Sequence, residues 1–144
     1  MVEARRRRGS PFTPRSEPNV PPPGFPGSFP EWLTYRELTE YHRLEPGWHF
    51  EFQSSRFGGR LRRGGIVVDF VFSVPPGLAF SVLGDYYHFY LRGGTEGADR
   101  LARAQLASTG ITLIFLEEED LIRNARHYVA EGLLFRDYSS LGVG

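Results

Sequence analysis

Residues 66–88 of the chain read IVVDFVFSVPPGLAFSVLGDYYH. Two apolar runs, residues 66–72 and 78–83, lie on either side of a Pro-Pro-Gly turn, and this pattern predicts two β-strands. The first run is apolar on both faces except at Asp69. A carboxylate inside an apolar strand is costly unless a partner or a metal ion offsets its loss of hydration. Asp69 is therefore the first candidate for a functional residue.

Two explanations of Asp69 are open at this point. In the functional explanation, the carboxylate is a ligand of a magnesium site built from strand residues. In the structural explanation, Asp69 lies near the end of its strand and bonds to the backbone or to an arginine. The sequence of the strand is compatible with both.

The sequence on either side of these strands predicts five more elements. A capping box of Ser28 and Glu31 starts a helix that extends to about Leu44. The alternating residues 49–53 predict a strand before the first apolar run. Three elements follow the second apolar run: a helix from Thr95 to about Ser108, a strand at residues 111–116 and a helix from about residue 118 to about residue 135.

The order of these elements predicts the fold class. The first strands can pair as hairpins, while the helix between the third and fourth strands permits a parallel crossover. We therefore expect an α/β fold with a central mixed four-stranded sheet flanked by helices.

Composition limits the chemistry that this chain can perform. Its 144 residues and 40% hydrophobic content fit one domain with one core. The absence of cysteine excludes disulfides and thiolate metal sites. All 17 basic residues are arginine, which excludes mechanisms that need a lysine, such as Schiff-base formation or a P-loop. The formal net charge is zero, so nucleic-acid binding would have to come from local patches.

The N-terminal residues differ in composition from the rest. Eight of the eleven prolines lie within the first thirty residues, together with a run of four arginines at residues 5–8. We predict a Pro/Arg-rich extended arm at residues 1–29, a domain at residues 30–137 and a flexible tail at residues 138–144. The arm is either a disordered tail or a segment that orders on nucleic-acid phosphate or on a neighbouring subunit.

The sequence shows no segment suited to a membrane. No apolar run approaches the ~20 residues that a membrane-spanning helix needs. The basic N-terminus also lacks the apolar stretch of a secretory signal. We expect no membrane partner, and a location in the cytoplasm or in a virion.

Two further segments carry residues suited to nucleic acid. Arg60, Arg62 and Arg63 lie in a glycine-rich segment and could hold phosphates, or form a solvated charged hairpin. Tyr86 and Tyr87 lie in an aromatic segment and could stack on bases or pack against a protein neighbour. DNA and protein partners are thus both compatible with the sequence.

Other polar groups have simpler explanations. Residues 117–120 read Glu-Glu-Glu-Asp and resemble a metal cluster, but they open a predicted helix, where acids interact favourably with the helix dipole. We predict that they start this helix. The spacing of His42, His49 and His127 is not typical of zinc ligands.

Taken in order, these motifs resemble the very-short-patch-repair endonucleases and related stand-alone domains of the restriction-endonuclease-like, PD-(D/E)XK, superfamily. The resemblance covers about residues 30–135. Its motifs are Phe-x-x-Gln at residues 50–53, Asp69-Phe70, an apolar strand running from Phe80 to Gly, aromatics and His88, a helix with residues 99–103, and Gly-Ile-x-x-Ile at residues 110–114. The resemblance implies a restriction-endonuclease-like fold.

The resemblance also implies roles for individual residues. Asp69 would bind magnesium, and Val82 would supply a backbone carbonyl to the same ion. His88 would help to activate water, so that Asp69 and His88 would form the catalytic pair. Gln53 matches a glutamine on the first strand of the stand-alone relatives and, like Glu51, could assist a one-metal site.

The chain departs from this family on its third strand. Relatives usually carry Glu there as a second metal ligand, two residues before a Lys, Gln or other polar residue, whereas this chain has Ser81 and Leu83. In the repair endonucleases the position of Leu83 is a catalytic histidine, and leucine can neither bind a metal nor accept a proton.

We therefore expect a restriction-endonuclease-like domain with impaired or lost cleavage. It would bind nucleic acid or serve in an assembly, in a phage or another mobile element, with protein contacts or self-assembly through the N-terminal arm. The alternatives are an active magnesium-dependent DNA endonuclease and a virion component that does not contact DNA.

Overall fold

The computed structural model describes residues 20–54, 68–84 and 92–140, with the backbone alone at residues 54 and 92–99. Its elements, in chain order, are α1 (Phe29–Arg36), a π-helical turn (Glu37–Tyr41), β1 (Phe50–Ser54), β2 (Val68–Phe72), β3 (Leu78–Leu83), α2 (Arg92–Ala107), β4 (Thr112–Glu117) and α3 (Glu118–Leu133). The four strands form one sheet in the order β1-β2-β3-β4.

The sheet is mixed, as the sequence predicts. β1 pairs with β2 and β2 with β3 in antiparallel fashion, whereas β3 and β4 are parallel. The parallel pair is joined through α2, which is the crossover helix expected between the third and fourth strands. The prediction of an α/β fold with a mixed four-stranded sheet is confirmed.

Each face of the sheet has its own apolar cluster, because side chains alternate along a strand. α1 and α3 pack on the first face and α2 contacts β4 on the second. Buried side chains on the first face include Trp32, Phe50, Phe70, Phe80 and Val129. Those on the second face include Val71, Ala79, Leu106, Leu113 and Phe115.

The first helix begins where the capping box predicts and ends earlier than predicted. The Ser28 hydroxyl accepts the Glu31 N–H, and the Glu31 carboxylate accepts the Ser28 N–H. The α-helix then stops at Arg36 and continues as the π-helical turn, in which the His42 N–H donates to the Glu37 carbonyl. The helix predicted to reach Leu44 is therefore shorter and widened at its end.

The other two helices also differ slightly from their predicted bounds. α2 begins at Arg92 rather than Thr95. α3 ends at Leu133 and is kinked at Asn124, whose side-chain oxygen accepts the His127 N–H as the cap of a second helical segment.

The described end of the N-terminal arm packs against the domain. Pro22 is buried, and the Phe25 ring stacks on Phe52 and meets Trp32 edge-on. The Gln53 side-chain amide donates to the Pro26 carbonyl at 3.2 Å. Residues 22–26 thus lie against β1 and α1.

The C-terminal residues close the outer edge of β4. The Asp137 carboxylate accepts the Phe115 N–H at 2.9 Å and also the N–H and hydroxyl of Ser139. The Ser140 N–H donates to the Glu117 carboxylate. We call residues 137–140 the C-terminal strap.

No helix among the described residues is long and apolar enough to cross a membrane.

Candidate functional site

One end of the sheet, which we call the carboxyl end, gathers the predicted functional residues. β1 ends there at Ser54, which pairs with Val68 at the start of β2. β3 and β4 end there as well, with Leu83 paired to Glu117. The topology therefore brings the start of β2 to the place where the other three strands end.

Asp69 lies on the inner strand β2 at this end. Its carboxylate oxygen Oδ2 accepts the N–H of Val82 on β3 at 2.7 Å. This bond spans two neighbouring strands and replaces a main-chain acceptor in the ladder. Of the two explanations given above for Asp69, the bond to the backbone is the one that the described atoms show.

The strands are deformed around Asp69. Val68 packs with Val71 on the second face, although Phe70 lies on the first, so the regular alternation of side chains fails between residues 68 and 70. Opposite Asp69 in the register, Gln53 has a φ of 55°, which is uncommon for a residue other than glycine. The irregular backbone and the bond from Val82 to Asp69 thus occur at the same place in the sheet.

The two described members of the predicted metal site are brought together. The resemblance implies a role for the Val82 carbonyl, and the structure shows the Val82 N–H bound to Asp69. Because the N–H and C=O of a strand residue point to the same neighbouring strand, the Val82 carbonyl also lies on the side of β2.

The positions at which the resembled endonucleases carry a second metal ligand offer no carboxylate in this chain. Ser81 is half-buried, and the Leu83 side chain is 5% exposed within the apolar cluster of the second face. Glu51 pairs with Val71 and is exposed. Gln53 uses its amide for the Pro26 carbonyl, so its side chain is directed toward the arm.

The remaining predicted site residues lie outside the described residues. These are His88, Arg60, Arg62, Arg63, Tyr86 and Tyr87. Their segments are nevertheless attached at known points: residues 55–67 connect the paired residues Ser54 and Val68, and residues 85–91 follow Gly84. Both segments are therefore joined to the sheet at its carboxyl end.

The acids of residues 117–120 start α3, as predicted. Asp120 accepts a hydrogen bond from Arg123 at 2.8 Å, and burial raises the pKa of the Asp120 carboxyl above its usual value. Glu118 reaches toward β3, since a Cβ on Gly84 would lie 3.3 Å from Glu118 Oε1. Among the described residues, no three acids or histidines are grouped in a way that could hold a metal ion.

A second polar cluster lies at the π-helical turn, and its residues were not predicted from the sequence to be functional. The mostly buried Glu37 carboxylate pairs with Arg126 Nε at 3.2 Å, and the Arg126 guanidinium lies 4.1 Å from the centre of the Tyr41 ring. His42 Nε2 is buried and has no hydrogen-bond partner among the residues that the structure describes, and burial lowers the pKa of His42. The sequence contains one indication of this cluster. Glu37 lies at helical spacing from Leu33 and Tyr41, and this spacing places an acid on the apolar face of the predicted helix.

Comparison of the chain with models of known protein families, with curated proteins and with solved structures found no match in any of the three. The assignment of a function therefore depends on the residues and on the geometry of the carboxyl end.

Proposed function

We propose that the chain is a restriction-endonuclease-like domain that binds nucleic acid at the carboxyl end of its sheet and has impaired or lost cleavage. The observation that carries the proposal is the attachment of residues 55–67 and 85–91 at this one end, beside Asp69. The first segment supplies three arginines for phosphates and the second supplies tyrosines for bases.

The ligands available for magnesium support the loss of cleavage. Magnesium is usually held by one or two carboxylates together with water and substrate oxygens. The described residues offer the Asp69 carboxylate, already bonded to Val82 N–H, and the Val82 carbonyl. Ser81 and Leu83 add no negative charge, so this set does not fit a two-metal nuclease centre, and no catalytic step is assigned to it.

Binding is tested by fluorescence anisotropy with labelled DNA at several salt concentrations. We expect the variant with Arg60, Arg62 and Arg63 all changed to Gln to bind more weakly. The slope of log K against log salt should become shallower by about 0.9 for each duplex phosphate contact that is lost. Arg43→Gln is the matched control, because Arg43 is exposed and precedes β1 at the opposite end of the sheet.

Cleavage is tested with supercoiled DNA and magnesium or manganese. The proposal expects binding without cutting. Cutting that disappears in both Asp69→Asn and Asp69→Ala would show instead that the chain is an active endonuclease. A wild-type chain that neither binds nor cuts, and that self-associates, would replace the proposal by a structural role.

A further inference from the structure

A tryptophan at the end of the sheet opposite the carboxyl end is largely exposed. Trp48 lies in the turn before β1 and is 77% exposed, whereas Trp32 is 1% exposed. An exposed tryptophan leaves a large apolar area in water. Tryptophan is also enriched at the centres of protein interfaces. Trp48 is therefore a candidate for the binding of a further segment of protein.

The residues next to Trp48 extend this apolar surface to the turn between β2 and β3. The His49 carbonyl accepts the N–H groups of Ser73 and Val74 at 2.8 and 3.2 Å, so that turn lies against the residue that follows Trp48. Val74 is 48% exposed, and Pro76 is exposed as well. We call Trp48, Val74 and Pro76 the tryptophan surface.

The turn that carries Trp48 is held in place by its own hydrogen bonds. The N–H groups of Trp48 and His49 donate to the Glu45 carbonyl at 3.1 and 2.8 Å. The Glu45 N–H donates to His49 Nδ1 at 2.8 Å, and the Gly47 N–H donates to the Phe50 carbonyl at 2.7 Å. A surface fixed in this way loses little conformational freedom when it binds a ligand.

The N-terminal arm contains a segment whose chemistry fits such a surface. Residues 11–15 read Pro-Phe-Thr-Pro-Arg. A polyproline II helix has three residues per turn, so the two prolines of this segment would lie on the same side of it. Proteins bind segments of this type with exposed aromatic side chains.

The described end of the arm already binds the domain through aromatic rings. Phe25 stacks on Phe52 with 5.2 Å between ring centres and meets Trp32 edge-on. Pro22 is buried. Residues 11–15 repeat this combination of phenylalanine and proline, and they belong to the nineteen residues that precede the described part of the arm.

The lengths allow one chain to make both contacts. Trp48 precedes Phe52 by four residues, so the two lie at most about 14 Å apart along the chain. Pro14 precedes Pro22 by eight residues, which span about 25 Å in a polyproline II helix. A segment tethered this closely has an effective concentration of millimolar order, which favours the same chain over a second copy.

We infer that residues 11–15 of the arm dock on the tryptophan surface of the same chain. The prolines pack on the Trp48 ring and against Val74, in the manner of a proline-rich ligand on an aromatic site. The docking goes beyond the proposed function, because it concerns the opposite end of the sheet. It also keeps the arginine run of residues 5–8, which lies just before the segment, at that end.

The test uses the full chain with one added cysteine, since the natural sequence contains none. Ser10→Cys is labelled with bimane, a fluorophore that tryptophan quenches on contact. At a millimolar effective concentration even a millimolar affinity gives about half occupancy, so the label should be roughly half as bright as in the same chain with Trp48→Phe. Trp48→Phe keeps an aromatic ring on the surface and removes the quencher.

Two variants and two matched controls locate the contact. Pro11→Ala combined with Pro14→Ala should raise the brightness of the label toward that of the Trp48→Phe chain, and so should Val74→Asp. Pro23→Ala changes an exposed proline of the described arm, and Leu134→Asp changes a side chain that is 59% exposed on α3's end. Both controls should leave the brightness unchanged, and circular dichroism confirms that each variant is folded.

Three results would overturn the inference. If Trp48→Phe leaves the brightness unchanged, the segment does not reach Trp48. If the proline variant and Val74→Asp both keep the wild-type brightness, the contact is not the one described. If the quenching disappears on dilution and light scattering shows dimers, the arm docks on a second copy. None of these measurements involves nucleic acid, so the proposed function remains in each case.

Discussion

Asp69 and Asp137 each accept a main-chain N–H of the sheet, from Val82 at 2.7 Å and from Phe115 at 2.9 Å. A hydrogen bond to an ionised acceptor is stronger than one between neutral groups. Both side chains therefore stabilise the sheet where its main-chain ladder lacks an acceptor, whatever other role Asp69 has.

Asp69→Ala should destabilise the chain by about 1–3 kcal/mol, because it leaves a partly buried Val82 N–H without this acceptor. Asp69→Asn keeps an oxygen at the same place and should cost less. Urea denaturation of the three proteins measures the difference. Equal stability of the alanine variant and the wild type would mean that the Val82 bond contributes nothing.

His42 should make stability depend on pH. Burial lowers its pKa from 6.5, a shift that Arg126 reinforces and Glu37 opposes. The unfolded chain therefore takes up a proton at a higher pH than the folded chain, and the contribution of His42 is complete above pH 6.5 and decreases as the pH falls through this value. Between about pH 7.5 and about pH 5.5, wild type should lose more stability than His42→Phe, which keeps a ring next to Tyr41.

The sequence predicts where Asp69 lies in the fold, but it does not predict which group Asp69 bonds to. An acid in an apolar run is visible from residues 66–72 alone, and the structure places it on an inner strand as expected. The bond to Val82 joins Asp69 to β3, and Gln53, opposite Asp69 on β1, has a φ of 55°. A positive φ is normally signalled by glycine, and Gln53 carries no such signal.

At the scale of the secondary-structure elements, α3 approaches the sheet closely at Gly132. A Cβ at this position would lie 2.9 Å from two atoms of the fully buried Phe80 ring. The helix can approach β3 this closely only because residue 132 has no side chain.

Gly132→Ala should therefore destabilise the chain by about 1–3 kcal/mol through overpacking, against a gain of up to about 1 kcal/mol in helix propensity. Adding Phe80→Leu should make Gly132→Ala less costly than it is in the wild-type background. A double-mutant cycle by chemical denaturation measures this coupling. Additive effects would contradict the close contact.

The strands were easier to predict from the sequence than the helices. Apolar runs bounded by glycine and proline locate β3 at residues 78–83, as observed. Two features of the helices do not follow from periodicity: α1 changes to the π-helical turn where Glu37 makes a tertiary contact with Arg126, and α3 kinks at Asn124, whose side chain caps the second segment locally. Local periodicity carries no information about either contact.

At the scale of the whole molecule, side chains of the C-terminal strap cover the outer edge of strand β4. An exposed strand edge invites pairing with another chain, and β4 is apolar over residues 113–116. The tail predicted at residues 138–144 begins within this strap. Its small and polar residues give no indication in the sequence that it covers the edge of β4.

Asp137→Ala should release the strap and promote self-association. The change removes the acceptor for Phe115 N–H and for both Ser139 donors, so the edge of β4 becomes available to a second copy. Light scattering after size-exclusion chromatography should show a larger mass that increases with concentration. Glu119→Ala, which removes an exposed acid of α3, should leave the mass unchanged.

The closing of β4 by residues 137–140 also has a consequence for synthesis. β4 is synthesised before the residues that cover it, so its outer edge can be closed only in a chain that includes residues 137–140. Products that stop prematurely between residues 118 and 136 keep this strand without its cover. Such fragments should aggregate more readily than the chain that includes the strap.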